Sequence, residues 1–420
     1  MSLINKIKNR FKNKDVKVLL ENFMSLFLLQ VVGYLLPLIT LPYIAKTIGV
    51  SKFGEIAFAS AVIVFFQTFV DYGFNYTGIR DIARIKDNKE KVSQVLSSII
   101  FSRIILMLIA FGILMLCLYF IPQFKENSKI LFFTFLLIPG YIMYPEWFFQ
   151  ALEKMKFSAI LSTVLKIFFT VILLFIVKKE EDYVYIPLIN GVGYLVVGIG
   201  AFVLIYKMGY RLRLVSVNDI ISTTKNSTNM FISLILPNLY TNMSTIFLSN
   251  FWGKSATGIF DSGNKFIGIS QQFTNVLSRT FYPYLARRID KHSFYERMSL
   301  SISGVISISL FLFAPLIVKF FYTDAYNDAV LVIRIMSISP IFIFMMNAYG
   351  TNYLVLKGKE NILRNIIIIC SVFGLVLSYI LVKKYSYIGA AIVITFVWGC
   401  RGVATFIYAN KIKRNEKSIN

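Results

Sequence analysis

The sequence predicts an all-α polytopic membrane protein of about twelve spanning helices in two six-helix lobes. Composition is the first reason: of 420 residues, 57% are hydrophobic and 15% charged, with a mean hydropathy of +0.68. A soluble domain is nearer 45–50% apolar and about 25% charged. The second is length: apolar runs of about 18 or more residues recur along the whole chain. Strands of a membrane barrel would alternate over roughly ten residues, and these runs do not. The third is an internal repeat, described below.

Residues 1–17 hold six Lys/Arg, with Leu3, Ile4, Ile7 and Phe11 at helical spacing. This fits an interfacial amphipathic helix or a disordered basic leader. Twelve spans follow by apolar length and loop breaks, at 18–45, 52–72, 92–120, 129–150, 157–177, 184–207, 227–250, 255–281, 298–321, 327–354, 360–382 and 387–410. An even number puts both termini on one side. Connections on that side, with leader and tail, carry 28 Lys/Arg, and the opposite connections carry 10. The positive-inside rule then expects both termini in the cytoplasm.

The connection Gly49-V-S-K-F-Gly54 repeats as Gly253-K-S-A-T-Gly258 at an offset of 204, and F-I-V-K-K ending at Lys179 repeats as I-L-V-K-K ending at Lys384 at an offset of 205. Six spans per half leave the halves in the same orientation, a parallel repeat with a path between them. The expected organisation is a leader (1–17), a first lobe (18–207), a cytoplasmic linker (208–226), a second lobe (227–410) and a basic tail (411–420). Pro37 and Pro42 in the first span and Pro237 in the seventh are candidate kinks in equivalent helices. Pro139 and Pro145, flanking Gly140, are a weaker instance in the fourth.

A net charge of +23 would suggest nucleic acid in a soluble protein, but here much of it lies in short loops and no nucleic-acid motif accompanies it. Membrane lipids are the expected partner of that charge. Cys117, Cys370 and Cys400 all lie in apolar runs, and with one histidine, His292, no metal site is expected. The chain lacks a Gly-x-x-x-x-Gly-Lys-Ser/Thr loop, and its connections are too short for a catalytic domain. An enzyme is therefore not expected. A glycosyl polymerase would need acid/base residues on a sizeable outer loop, and the outer loops are about ten residues long at most.

The eighth span draws the chemistry. Asp261, Lys265, Gln272 and Arg279 fall within about 40° of one another on a helix. Such a line faces a wet cavity or a partner, because each charge near the bilayer centre costs about 2.5–3.5 kcal/mol. The alternative for Asp261 and Lys265 is a structural i,i+4 pair. Lys166, Arg103, Arg334 and Arg401 also lie within spans, so the deep interior is net basic. A basic cavity suits an anion, phosphate above all. Glu55, Asp71 and Asp261 are candidates for coupling or gating. Each has a plainer alternative: a helix-start carboxylate for Glu55, a loop anchor for Asp71 and the i,i+4 pair for Asp261; the plainer reading of Arg103 is a snorkelling anchor.

Several stretches resemble the Wzx-type O-antigen and exopolysaccharide flippases of the multidrug/oligosaccharidyl-lipid/polysaccharide exporter superfamily. They are I-A-K-T-I-G-V-S-K-F-G-E-I-A-F-A (44–59), V-D-Y-G-F-N-Y-T-G-I-R-D-I-A-R (70–84), P-E-W-F-F-Q-A-L-E-K-M-K-F (145–157), the Asp261 helix ending in F-Y-P-Y-L-A (281–286), and N-Y-L-V-L-K-G-K (352–359). The likeness runs from about residue 20 to 410. It implies a V-shaped alternating-access transporter in the bacterial inner membrane. Such a transporter moves an undecaprenyl-diphosphate-linked oligosaccharide, an O-antigen, lipopolysaccharide or capsule unit, from inner to outer leaflet. Lys166, Lys265, Arg334 and Arg401 are then expected to line a cationic cavity, with Gln272 beside them. Arg279 and Arg103 would guide the head group. No cofactor is implied beyond possible coupling to a proton or sodium gradient. A polysaccharide polymerase and a chain-length regulator are expected partners. A lipid II flippase and a cation or multidrug antiporter are the alternatives, and the antiporter would want an acidic pocket.

Overall fold

The computed structural model describes residues 14–419, with side chains described over 36–415 apart from Pro37, Arg279, Pro283 and Arg287. Residues 1–13 of the expected leader and the Arg279 side chain thus lie outside the described residues. Among the described residues there are helices and turns but no strand. Nine helical stretches among the described residues are long and apolar enough to cross a membrane. Three of these hold one non-helical residue, at Gly49, Gly253 and Ser386, and each is a pair of spans. Counting both members gives twelve.

We number the spans α1 (14–48), α2 (50–71), α3 (Lys89–Phe120), α4 (Ser128–Ala151), α5 (Met155–Ile176), α6 (Tyr185–Lys207), α7 (217–252), α8 (254–287), α9 (His292–Phe321), α10 (Ala329–Val355), α11 (360–385) and α12 (387–419). One end of the bundle carries the turns at Gly49, 177–184, Gly253, 322–328 and Ser386. The other carries the connections 84–88, 208–216, 288–291 and 356–359, and is called the linker end below.

Helix starts follow local chemistry. Asn88 caps α3 by accepting from the amides of Glu90 and Lys91. Ser216 and Asp219 form a reciprocal capping box at α7. This helix begins ten residues ahead of the apolar run that announces its span, because residues 217–226 are helical but polar. The backbone stays helical through 37, 42 and 237, so the expected prolines do not break α1 or α7. In α4 the break does come at proline: the helix stops at Tyr144 and restarts after Pro145. The last part of α10, Met346–Val355, is a π-helix.

Gly49 and Gly253 break their helices with nearly the same backbone, φ/ψ of 70°/173° and 82°/−173°. That region is essentially reserved for glycine. The repeated motif thus encodes one turn twice.

One buried cluster draws only on the first half, among it Ile63, Phe74, Phe148 and Val197, and another only on the second, with Leu285, Tyr295 and Phe344. The largest draws on both, joining Leu41, Ala45 and Phe53 to Tyr240, Phe260 and Tyr322. The halves also meet just past α2, where Tyr72 stacks on Phe231 of α7 at 4.4 Å and Thr77, in the short helix Phe74–Ala83, shares a 2.8 Å hydroxyl bond with Ser227 of α7. The extended linker is pinned to α3: Arg211 N–H donates to Ser93 Oγ at 3.2 Å and Arg213 N–H to Ser97 Oγ at 2.9 Å.

A polar cavity between the two halves

The stretch that begins α8 builds two faces. On one, Phe260, Phe266 and Ile267 are buried, and the Ser262 carbonyl accepts from Tyr322 Oη at 2.9 Å. A Cβ at Gly263 would lie 2.7 Å from Val332 Cγ1, so glycine lets this face seat against α10. That seating turns the other face, with Asp261, Asn264, Lys265 and Gln272, into a cavity of about 590 Å³. The first half supplies the opposite wall: Leu38 and Thr40 of α1, Phe53 and Ile56 of α2, Lys166 of α5 and Ile186 of α6.

Two amines therefore reach one cavity from different halves. Lys265 Nζ stands 3.0 Å from Asp261 Oδ2, with the side chains 42% and 21% exposed. A pair this wet is worth roughly 0.2–1 kcal/mol, so an anion of higher charge displaces the carboxylate at little cost. Glu146 lies close enough to Lys166 to interact with it electrostatically. Asn264 and Gln272 add amide donors and acceptors of the kind that bind hydroxyls. The polar groups of the lining are thus amines, amides, a hydroxyl and a carboxylate, the kinds of group that bind phosphates and sugars.

The end opposite the linker is closed over this cavity. A Cβ on Gly54 would fall 1.8 Å from the Lys254 carbonyl, and a Cβ on Gly258 would fall 2.1 Å from the Val50 carbonyl. The two repeated motifs pack on each other through their glycines, related by the same 204-residue offset. Glu55 is buried beside them and accepts from Lys52 Nζ at 2.9 Å and Tyr183 Oη at 2.6 Å. It also pairs with Lys254 Nζ of the other half at 3.0 Å. Phe53 meets Tyr322 and Tyr326 edge-on, at 6.2 and 5.9 Å. Tyr326 Oη donates to the Ala45 carbonyl at 3.3 Å. We call this layer the seal.

The structure brings Lys166, Asp261, Lys265 and Gln272 to the cavity and places Arg334, Arg401, Arg103, Asp71 and Glu55 elsewhere; the Arg279 side chain lies outside the described residues. Arg334 is exposed on α10, its guanidinium 5.6 Å from the Phe311 ring of α9. Arg401 donates to Tyr240 Oη at 2.8 Å, within the second half. Arg103 is 1% exposed, ion-paired with Asp71 and donating to Asn75 Oδ1 at 2.9 Å. Asp71 thus faces the first-half core, and Glu55 belongs to the seal. Among the described residues no three His, Cys, Asp or Glu side chains gather as metal ligands.

Sequence reasoning passed over Asn264 and Phe53. Asn264, adjoining Lys265 in the same polar stretch, was findable. Phe53 was not, because an aromatic beside a glycine carries no signal of two neighbours from the other half.

A family model described as polysaccharide biosynthesis protein matches residues 19–289. A putative O-antigen transporter of Escherichia coli strain K12 is 28% identical over 389 residues, 90% of this chain and 94% of that one. Among solved structures, the lipid II flippase MurJ in an inward closed conformation superposes with a TM-score of 0.76 at 14% identity, covering 92% of this chain and 87% of that one. An inward-facing multidrug resistance MATE transporter of the MOP superfamily gives 0.63 at 14% identity, covering 92% and 99%.

Proposed function

The chain belongs to the polysaccharide biosynthesis protein family, and from that premise we propose that it is a flippase for an undecaprenyl-diphosphate-linked oligosaccharide. One observation supports this above the rest: Lys166 and Lys265 face one cavity from opposite halves, beneath a closed seal. A diphosphate bridging two amines engages both lobes at once, and the amides of Asn264 and Gln272 suit the first sugar. The prenyl chain stays in lipid. The lobes, 18–207 and 227–410, rock about this site, with 208–226 as their linker.

On this reading the linker end faces the cytoplasm, in keeping with the Lys/Arg excess there, and the seal faces outward from a bacterial inner membrane. The protein carries out translocation and no covalent chemistry. Asp261 is the carboxylate placed to couple transport to a proton or sodium gradient, since it competes with substrate for Lys265. A polymerase and a chain-length regulator would take over the translocated unit.

The test is reconstitution in liposomes with a fluorescent undecaprenyl-diphosphate oligosaccharide, scoring substrate that reaches the opposite leaflet. Lys265→Ala and Lys166→Ala should each lose translocation at least tenfold with insertion intact, while Arg334→Ala stays near wild type. Export of a cationic dye with no lipid movement would favour an antiporter instead.

A further inference from the structure

Phe53 belongs to both the cavity and the seal. Its ring is part of the cavity wall and lies 5.3 Å from Lys265 Nζ. The same ring packs edge-on against Tyr322 and Tyr326 and is 4% exposed. Phe53 is on α2 of the first half, and Lys265, Tyr322 and Tyr326 are all in the second. The contact between ammonium and ring therefore exists only while the seal is closed. An interaction present in one state and absent from the other is what lets a ligand shift the balance between them.

We propose that Phe53 couples cavity occupancy to the seal. This rests on the reading that the cavity binds an anion. Among the described residues Lys265 has two partners, the Asp261 carboxylate on its own helix and the Phe53 ring across the divide. The first holds the amine in place whether the seal is open or closed. The second draws the two halves together. A phosphate that takes Lys265 removes the cation from the ring, and the electron-rich ring face then meets phosphate oxygens, which it repels. Loading the cavity thus removes one of the interactions that keep the seal shut. An empty transporter stays closed outward, and a loaded one is biased to open.

The expected size follows from a cation–π contact between exposed and desolvated limits, roughly a 2- to 30-fold change in the closed-to-open ratio. Thr257, fully buried and adjacent to Gly258 in the seal, offers the reporter. In a Thr257→Cys background, reaction with a membrane-impermeant maleimide applied at the seal side measures opening. The parent chain with its three native cysteines gives the blank. Inorganic diphosphate is the probe, and its binding is measured in parallel by calorimetry.

With wild-type Phe53, diphosphate should raise the labelling rate by that factor. Phe53→Leu should label faster without ligand and no longer respond, while still binding diphosphate, which shows that the variant is folded. Phe53→Tyr, which keeps the ring, should restore the response. Diphosphate binding without any change in labelling overturns the coupling and leaves the anion site standing. A Phe53→Leu protein that still responds also overturns the coupling. No diphosphate binding to wild type overturns both.

Discussion

Alanine at Gly54 is the sharpest perturbation this fold offers. The added carbon would stand 1.8 Å from the Lys254 carbonyl oxygen and 2.8 Å from the Gly258 amide, both backbone atoms of the other half. Neither can swing aside as a side chain would. Bringing the shorter contact out to van der Waals distance requires the two helices to part by roughly 1.5 Å. Overpacking at such a contact costs about 1–3 kcal/mol, and only in the closed seal, so the closed-to-open ratio should fall by roughly 5- to 150-fold. Spin labels at Ser51→Cys and Ser255→Cys, equivalent positions on the two motifs, report the separation by pulsed electron resonance. Gly54→Ala should move the distance distribution outward. Gly258→Ala, whose carbon meets the Val50 carbonyl at 2.1 Å, should do the same. The double variant should add little to either, because one separation relieves both clashes. Distributions unchanged in both single variants would refute the claim that the glycine contact closes this end.

Other consequences are equally checkable. Lys254→Gln removes the one partner of Glu55 that comes from the second half among the described residues, and at its partial exposure should weaken the seal by about 1 kcal/mol, read as a several-fold faster labelling of the Thr257→Cys reporter. Arg103→Met strands Asp71 inside the first half and should cost about 3–5 kcal/mol, seen as a lower melting temperature in detergent. Adding Asp71→Asn should recover most of that loss. Lys413 holds the end of α12 through Glu296 at 3.2 Å and His292 Nδ1 at 3.3 Å. Lys413→Ala should therefore raise hydrogen exchange over the last turns of α12 without altering the cavity.

Much of the architecture is legible in the sequence because lipid imposes it: a span must be apolar for its full length, so all twelve announce themselves. Hydropathy reads lipid contact and not helicity, which is why the polar start of α7 escapes it. The repeat is legible through Gly49 and Gly253, since their backbone excludes other residues. That the following glycines, Gly54 and Gly258, press against each other is a tertiary fact with no trace in either motif alone. At the cavity, the Asp261–Gln272 line is readable because it lies on one helix and one angle. Arg334 and Arg401 fail that logic. Depth along a helix says that a charge needs a partner, but the direction it faces is set by neighbours far away in the chain, Phe311 for one and Tyr240 for the other.

The buried Arg103 also constrains how the chain enters the bilayer. On biological insertion scales an arginine near mid-helix opposes entry by about 2.5–3.5 kcal/mol, while each Leu, Ile or Phe favours it by about 0.3–0.6. α3 is strongly apolar past this point, with Ile104, Ile105, Leu106 and Leu108 following the arginine directly. The helix thus carries enough apolar residues to be released from the translocon on its own, before its charge is neutralised. Asp71, at the end of α2, is already in place when α3 arrives. Their pairing joins α3 to α2 with residues of the first half alone.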